Sequence, residues 1–449
     1  LHFVPFCFST KLIRRLLMKK YLLFLTLTLF VSCSPVETAE ESFSFTSGDP
    51  DTNGFHSDSL AVVTTFLEDA VENKWIPGAV ALIVKDGAIL YEEAVGFSDI
   101  ESNRPVATDD IFRLASMTKA ITSAAVLMLA DQNLLHIDDP VSAYIPEFSD
   151  PMVIEAVDFS DTTWTSEPAD REITIHHLLT HTSGISYGFT DSTMSAIYTK
   201  NSIPDGLVAD NIEIGKTMPA LGKLPLKHNP GEMWTYGLST DILGRVVEVV
   251  SGKPLDQFFR SEIFEPLGMD DTAFYLPQEK ADRLVPLYMN PDRNVLEKVT
   301  ETGMGDSGPV SPQELFVGKG TYFSGGAGLT GTSRDYHRFM QMVLNHGELG
   351  GLRLMSEETA RLMHDHQIGD LRVGTNGFSY GFQVTLEDGS QNNGREAGSL
   401  GWGGIFQTTY WMNPEENISV VLMTQVFPSR HQQELYSGFE KRVHGSVFK

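Results

Sequence analysis

Residues 112–130 read FRLASMTKAITSAAVLMLA. Within this stretch Ser116-Met117-Thr118-Lys119 sets a hydroxyl and an amine three positions apart, so on a helix both lie on one face and the amine reaches the hydroxyl. A serine hydroxyl is a poor nucleophile at neutral pH, and a base within hydrogen-bond reach is what gives such a pair its chemistry. The spacing recurs at Ser446-Val447-Phe448-Lys449, where nothing around it suggests a site. The first copy differs by its setting. Residues 112–115 form a short approach, and Ala120–Ala130 is apolar on every side, the pattern of a buried helix. Ser116 then stands at that helix's N-terminus, where free backbone N–H groups and the helix dipole favour developing negative charge.

Outward from this helix the pattern is strands at both ends with helices between. An amphipathic segment at Leu60–Asn73 precedes the alternating run Gly78–Val84, a Lys85-Asp86-Gly87 turn and Ala88–Gly96, which predicts a hairpin. Helical patterns follow at Ala115–Asp131, Ile175–Thr180, Thr240–Ser251, Leu255–Ile263 and Ser333–Leu344. Strands return at Gly381–Leu386, Ile405–Asn413 and Ile418–Thr424, before a last helix near Arg430–Val443. The fold class expected is α+β: an antiparallel sheet built from N- and C-terminal segments, flanked by helices and carrying a helical subdomain. Adjacent hairpins argue against a parallel, doubly wound sheet.

Three more stretches stand out. Pro230-Gly231-Glu232-Met233-Trp234-Thr235-Tyr236-Gly237-Leu238 delivers a tyrosine just before a helix. Gly401-Trp402-Gly403-Gly404 stands before the predicted strand at Ile405, where glycines let backbone approach a ligand. His181-Thr182-Ser183-Gly184 closes a helical segment. Together with Ser116 and Lys119, in this order from about Leu60 to Arg442, these motifs resemble the serine beta-lactamase and penicillin-binding-protein superfamily, in particular its class C-like branch containing the family VIII carboxylesterases. The resemblance implies a beta-lactamase/transpeptidase-like fold and an acyl-serine mechanism. It makes Ser116 the nucleophile and lets Lys119 and Tyr236 share the base and acid roles. Trp402, Gly403 and Gly404 would line the substrate cleft, and the backbone N–H groups of Ser116 and Ile405 would form the oxyanion hole. It requires no metal or organic cofactor. Which of Lys119 and Tyr236 holds the proton stays open.

Two departures from the family pattern bear on substrate. Leu238 stands where beta-lactamases and peptidases place an Asn, and Trp402 where they place a Lys that holds a substrate carboxylate. Losing an amide and a cation leaves a more apolar cleft and favours a small ester over a beta-lactam or a D-amino acid peptide. Those two substrates remain the rival enzyme readings; a non-catalytic peptidoglycan-binding lipoprotein is the rival outside catalysis.

Other motifs carry blander readings. Gly184-Ile185-Ser186-Tyr187-Gly188 matches a nucleophile elbow, but that elbow needs a strand before it and a helix after it, whereas a helical segment precedes this one. His177 and His181 have the spacing of two metal ligands on a helix, but no Glu follows His177 and no third ligand is evident; a structural role near the cleft is expected for His181. Gly325, Gly326, Gly328 and Gly331 read as a turn near the cleft.

At the N-terminus, Met18-Lys19-Lys20 and the apolar run Tyr21–Val31 have the form and length of a signal segment, too short for a membrane span. Residues 1–17 are read as an over-extended start, 18–32 as a lipoprotein signal peptide, 33–55 as a flexible tether and 56–449 as one catalytic domain. Phe30-Val31-Ser32-Cys33 resembles a lipobox, which implies lipidation (palmitate) of Cys33, export and a membrane anchor, expected in the cell outer membrane. The other cysteine, Cys7, lies before Met18, so the mature chain is expected to hold no disulfide. The formal net charge is −26, and removing Lys11, Arg14, Arg15, Lys19 and Lys20 makes it more negative still. Such a surface repels nucleic acid and confers solubility rather than a specific partner. The partners expected are a small-molecule ester or amide and, through the lipid, a membrane.

Overall fold

The computed structural model describes residues 43–208, 212–301, 312, 316–393 and 395–447. The start at Met18, the signal segment 18–32 and Cys33 lie outside these residues.

The main sheet has nine strands among the described residues. In chain order they include β1 (Thr46–Ser47), β2 (Gly78–Lys85), β3 (Ala88–Asp99), β4 (Gly377–Phe378), β5 (Gln383–Val384), β6 (Leu400–Gly404), β7 (Thr408–Asn413) and β8 (Ile418–Met423), with Arg104–Pro105 pairing onto β3. Their spatial order is β1-β3-β2-β8-β7-β6-β5-β4. Every pairing is antiparallel except β1 on β3. The two ends of the chain meet where β2 pairs with β8, from Val80↔Met423 to Lys85↔Ile418, as the expected α+β arrangement requires.

Both faces of this sheet are covered, which explains why β2 and β8 read as nearly continuous apolar runs. Ala79, Ala81, Ile83, Trp411, Val420 and Leu422 point to one side, against helices α1 (Ser57–Glu72) and the C-terminal Gln432–Gly445. Val80, Tyr410, Met412, Val421 and Met423 point to the other, into the large core built on α2 (Thr118–Asp131). That core also takes in α3 (Ile175–Leu179), α4 (Ser239–Ser251) and α5 (Ser333–Leu344), and the C-terminal helix becomes α6. Complete burial of each Val, Leu or Ile contributes about 1.5–3 kcal/mol.

Several boundaries differ from expectation for identifiable reasons. Ile405-Phe406-Gln407 is not strand but a three-residue turn: Gln407 has φ 71 and its N–H donates to the Gly404 carbonyl at 3.0 Å, the form of a hairpin closed by a left-handed residue. Trp402-Gly403-Gly404 therefore lies on β6 rather than before a strand. The strand expected over Gly381–Leu386 shortens to Gln383–Val384, and the helix at Leu255 passes after Phe259 into a π turn, Arg260–Phe264. A further hairpin, Met152–Asp158 with Thr163–Pro168, forms within the helical subdomain. From Phe43 onward the expected tether is replaced by structure. Thr46 and Ser47 pair with Ala88 and Ile89, and Phe55 is buried and bridges to Val447.

Candidate active site

The approach to Ser116 is fixed from outside the helix. Phe112–Arg113 pairs antiparallel with Thr330–Gly331, and Leu114 N–H donates to the Leu329 carbonyl at 2.9 Å. The chain then turns through Ala115, whose φ of 45 is left-handed, an unfavourable conformation for a residue with a Cβ. Ala115–Met117 makes one 3₁₀ turn and runs into α2. Ser116 is thus half-buried at the helix entrance, as the spacing argument required.

Lys119, one turn on, is 3% exposed. Its Nζ donates to Ser116 Oγ at 3.3 Å, to Tyr187 Oη at 2.9 Å and to the Gly326 carbonyl at 2.7 Å. It also lies over the Tyr236 ring, 4.7 Å from the centroid. Tyr236 also reaches Ser116, its hydroxyl donating to Ser116 Oγ at 2.6 Å, and Trp402 Nε1 donates to Tyr236 Oη at 3.4 Å. The structure therefore brings Ser116, Lys119, Tyr236 and Trp402 into one constellation from three distant stretches.

The loop carrying Tyr236 is held by His181-Thr182-Ser183-Gly184. Thr235 N–H donates to the His181 carbonyl, Gly231 N–H to that of Thr182 and Lys227 N–H to that of Gly184, at 2.7 to 2.8 Å. Gly237 admits no side chain, because a Cβ there would come within 2.2 Å of the Ile185 carbonyl. The His181 ring packs on Tyr236 and Phe378, at 5.2 and 5.6 Å between centroids. Burial pushes its imidazole down to about 3, with the Lys119 charge adding to the effect, so it stays neutral and structural. His177 does not join it in a metal pair: its Nδ1 accepts from Thr174 N–H at 3.1 Å in a capping box. Among the described residues no group of His, Cys, Asp and Glu is placed to hold a metal ion.

Gly404 fixes the other wall. A Cβ on it would stand 2.4 Å from the Leu114 carbonyl, so β6 lies against the backbone that leads to Ser116. Ile405 follows directly and, with Ser116, Gly403 and Gly404, lines a cleft of about 480 Å³. The remaining lining is largely apolar: Phe189, Leu207, Ala327, Trp402, Phe427 and the rings of Tyr187, Tyr236 and Tyr436. Leu238 is fully buried and contributes no wall.

Tyr187 escaped the sequence reading although it lies inside the elbow-like Gly184–Gly188 run. Ser186 of that run is buried, its Oγ donating to the Tyr187 carbonyl at 3.1 Å, while Tyr187 supplies the oxygen that Lys119 meets. Burial, reinforced by Asp241, raises the Tyr187 phenol well above its ordinary range, so it remains a neutral hydroxyl. Asp205 is a second missed wall residue. Its carboxylate accepts from Gly188 and Phe189 N–H at 2.6 and 3.1 Å and is raised by burial. The glycine turn at 325–331 does border the site, through Gly326 and Ala327.

Comparison with known proteins agrees with this geometry. The Beta-lactamase family matches residues 63–439. Esterase EstB of Burkholderia gladioli is 32% identical over 382 residues, 84% of this chain and 93% of that esterase. The lovastatin esterase of Penicillium rubens is 30% identical over 383 residues, covering 79% and 90%. Among solved structures, EstCE1, a hydrolase with promiscuous acyltransferase activity, superposes with a TM-score of 0.72 at 27% identity, covering 87% of this chain and 99% of its own. With this family match across most of its length, a serine–lysine–tyrosine constellation and an apolar cleft, the chain belongs to the beta-lactamase family and is a serine hydrolase of its esterase-like branch.

Proposed function

We propose that this hydrolase cleaves a small, uncharged acyl ester through an acyl-Ser116 intermediate. The observation that carries the reading is the placement of Ser116 Oγ between Lys119 Nζ and Tyr236 Oη on the floor of an apolar cleft. Lys119 Nζ is held by three oxygens, those of Ser116, Tyr187 and the Gly326 carbonyl. Ser116 Oγ gives up its proton to the Lys119–Tyr236 pair, both members of which contact it; the pair acts in the form that has already lost one proton. Ser116 Oγ attacks the acyl carbon. The carbonyl oxygen takes the negative charge and is received by the N–H groups of Ser116 and Ile405. Collapse breaks the ester C–O bond, the Lys119–Tyr236 pair returns the proton to the departing alcohol, and a water repeats the sequence on the acyl-enzyme.

Support for an uncharged ester comes from the apolar lining of the cleft, Trp402 included, and from the esterases among the relatives. The test is pre-steady-state release of p-nitrophenol from a butyrate ester. A burst near one equivalent in the wild type and none in a folded Ser116→Ala variant is expected; equal turnover by both proteins overturns the reading. The leader supports a second part of the proposal, that the protein is exported and lipid-anchored through Cys33, in the outer membrane. Cys33→Ala is expected to release it from the membrane fraction, and unchanged fractionation rejects the anchor.

A further inference from the structure

Beneath Lys119 lies a buried carboxylate that the proposed chemistry does not use. Asp241, on the first turn of α4, is 0% exposed. Its Oδ1 accepts from Ser324 Oγ at 2.6 Å, and Ser324 Oγ in turn accepts from Ala327 N–H at 3.0 Å. Its Oδ2 faces Gly326 so closely that a Cβ on that residue would lie 2.4 Å away. The same turn is gripped from α2, where Thr122 Oγ1 donates to the Gly325 carbonyl at 2.6 Å and Lys119 Nζ to the Gly326 carbonyl at 2.7 Å. Gly325 is equally confined, with a Cβ there falling 2.4 Å from the Thr240 carbonyl. The 324–327 turn is therefore clamped between two helices, and the carbonyl it offers to Lys119 sits on the peptide that Asp241 holds.

We propose that Asp241 is a positioning residue for Lys119: it anchors the 324–327 turn so that the Gly326 carbonyl, backed by the carboxylate's charge, fixes the Lys119 ammonium beneath Ser116. The function of that ammonium rests on the serine-hydrolase mechanism above; its placement does not. A buried carboxylate is costly unless it is paired, and the groups around this one are a consistent set. Ser324 and the Gly326 amide lie on the turn, Lys119 on α2, and Tyr187 and Tyr322 present neutral phenols whose ionisation the carboxylate opposes. Asp205 also faces both phenols, and Tyr236 and His181 complete the surroundings of Lys119. Burial raises Asp241, while Ser324, Lys119 and Gly326 work to keep it ionised.

The experiment has two readouts. In protein carrying ¹³Cε-labelled lysine, with the Lys119 resonance assigned through Lys119→Arg, the pH midpoint of that resonance should fall by about one unit or more in Asp241→Asn, since removal of a nearby anion disfavours the ammonium. On a p-nitrophenyl ester the same variant should lose about 10- to 100-fold in kcat with KM changed far less, the signature of an interaction that serves the reacting groups rather than substrate binding. Ser324→Ala, which retains the charge but frees the turn, should lower kcat while leaving the midpoint closer to wild type. A folded Asp241→Asn protein with an unchanged Lys119 midpoint overturns the proposal, whether or not the wild type turns over esters. If that variant does not fold, Ser324→Ala decides: wild-type kcat and an unchanged resonance overturn it. Absence of ester turnover in the wild type counts against the serine-esterase reading alone, because the resonance still reports on Asp241.

Discussion

At the scale of single residues, the site is a set of short-range contacts around one oxygen, Ser116 Oγ. Tyr236→Phe removes the hydroxyl 2.6 Å from it and leaves the ring packed on His181 and Trp402. Steady-state kinetics should show kcat/KM down by about 10²- to 10⁴-fold, the range of a lost acid–base group. Tyr187→Phe should cost less, about 10- to 100-fold, as expected for one hydrogen bond to a charged donor. On the proposed ester preference, the wild type should turn over a p-nitrophenyl ester far faster than a chromogenic cephalosporin; comparable rates would refute it. Ser116, Lys119, Tyr236 and Trp402 could be singled out in the sequence because their short runs, taken together and in this order, resemble the motifs of the family. Tyr187, Asp205 and Asp241 were not. Their positions depend on where the loop after α3 and the start of α4 settle against α2, and no local spacing encodes that meeting.

At the scale of elements, β6 and its turn do the most with the fewest atoms. Gly404 is the point where β6 meets the backbone leading to Ser116, and Gly404→Ala would drive a methyl group into the Leu114 carbonyl and Thr408 Oγ1, at 2.4 and 2.5 Å. Overpacking of this kind costs about 1–3 kcal/mol. Chemical denaturation should show that loss, and esterase activity should fall further than stability because Ile405 is displaced with the strand. Longer elements could be read from the sequence, α4 by its amphipathic period and β2 and α2 by their apolar runs. The two-residue strand Gly377–Phe378 could not, because it exists through pairing with Gln383–Val384 rather than through propensity. The turn at Ile405–Gln407 misled for a related reason: two apolar residues looked like strand, yet their place is the wall of the cleft.

For the molecule as a whole, stability rests on two cores on opposite faces of one sheet. Phe439, on α6, is fully buried against Trp411, 5.8 Å between ring centroids, and Phe439→Ala should cost about 3–5 kcal/mol in urea unfolding. The sheet also sequesters His337, whose Nδ1 lies 2.8 Å from Ser419 Oγ and whose imidazole burial pushes down to about 3. Between pH 6.5 and 3 the unfolded chain takes up a proton there that the folded chain refuses, so this group's contribution to stability is present above 6.5 and is lost as pH falls through that window. Melting temperatures of His337→Asn and wild type should therefore converge on acidification, and a constant difference would contradict the assignment. The sheet has one more consequence, for the order of events in synthesis. Ser116 is made early, but Trp402, Gly404 and Ile405 come nearly three hundred residues later, and β2 waits for β8 before its open edge is satisfied. The site therefore cannot assemble on a ribosome-bound chain until almost the whole polypeptide is available to close around Ser116.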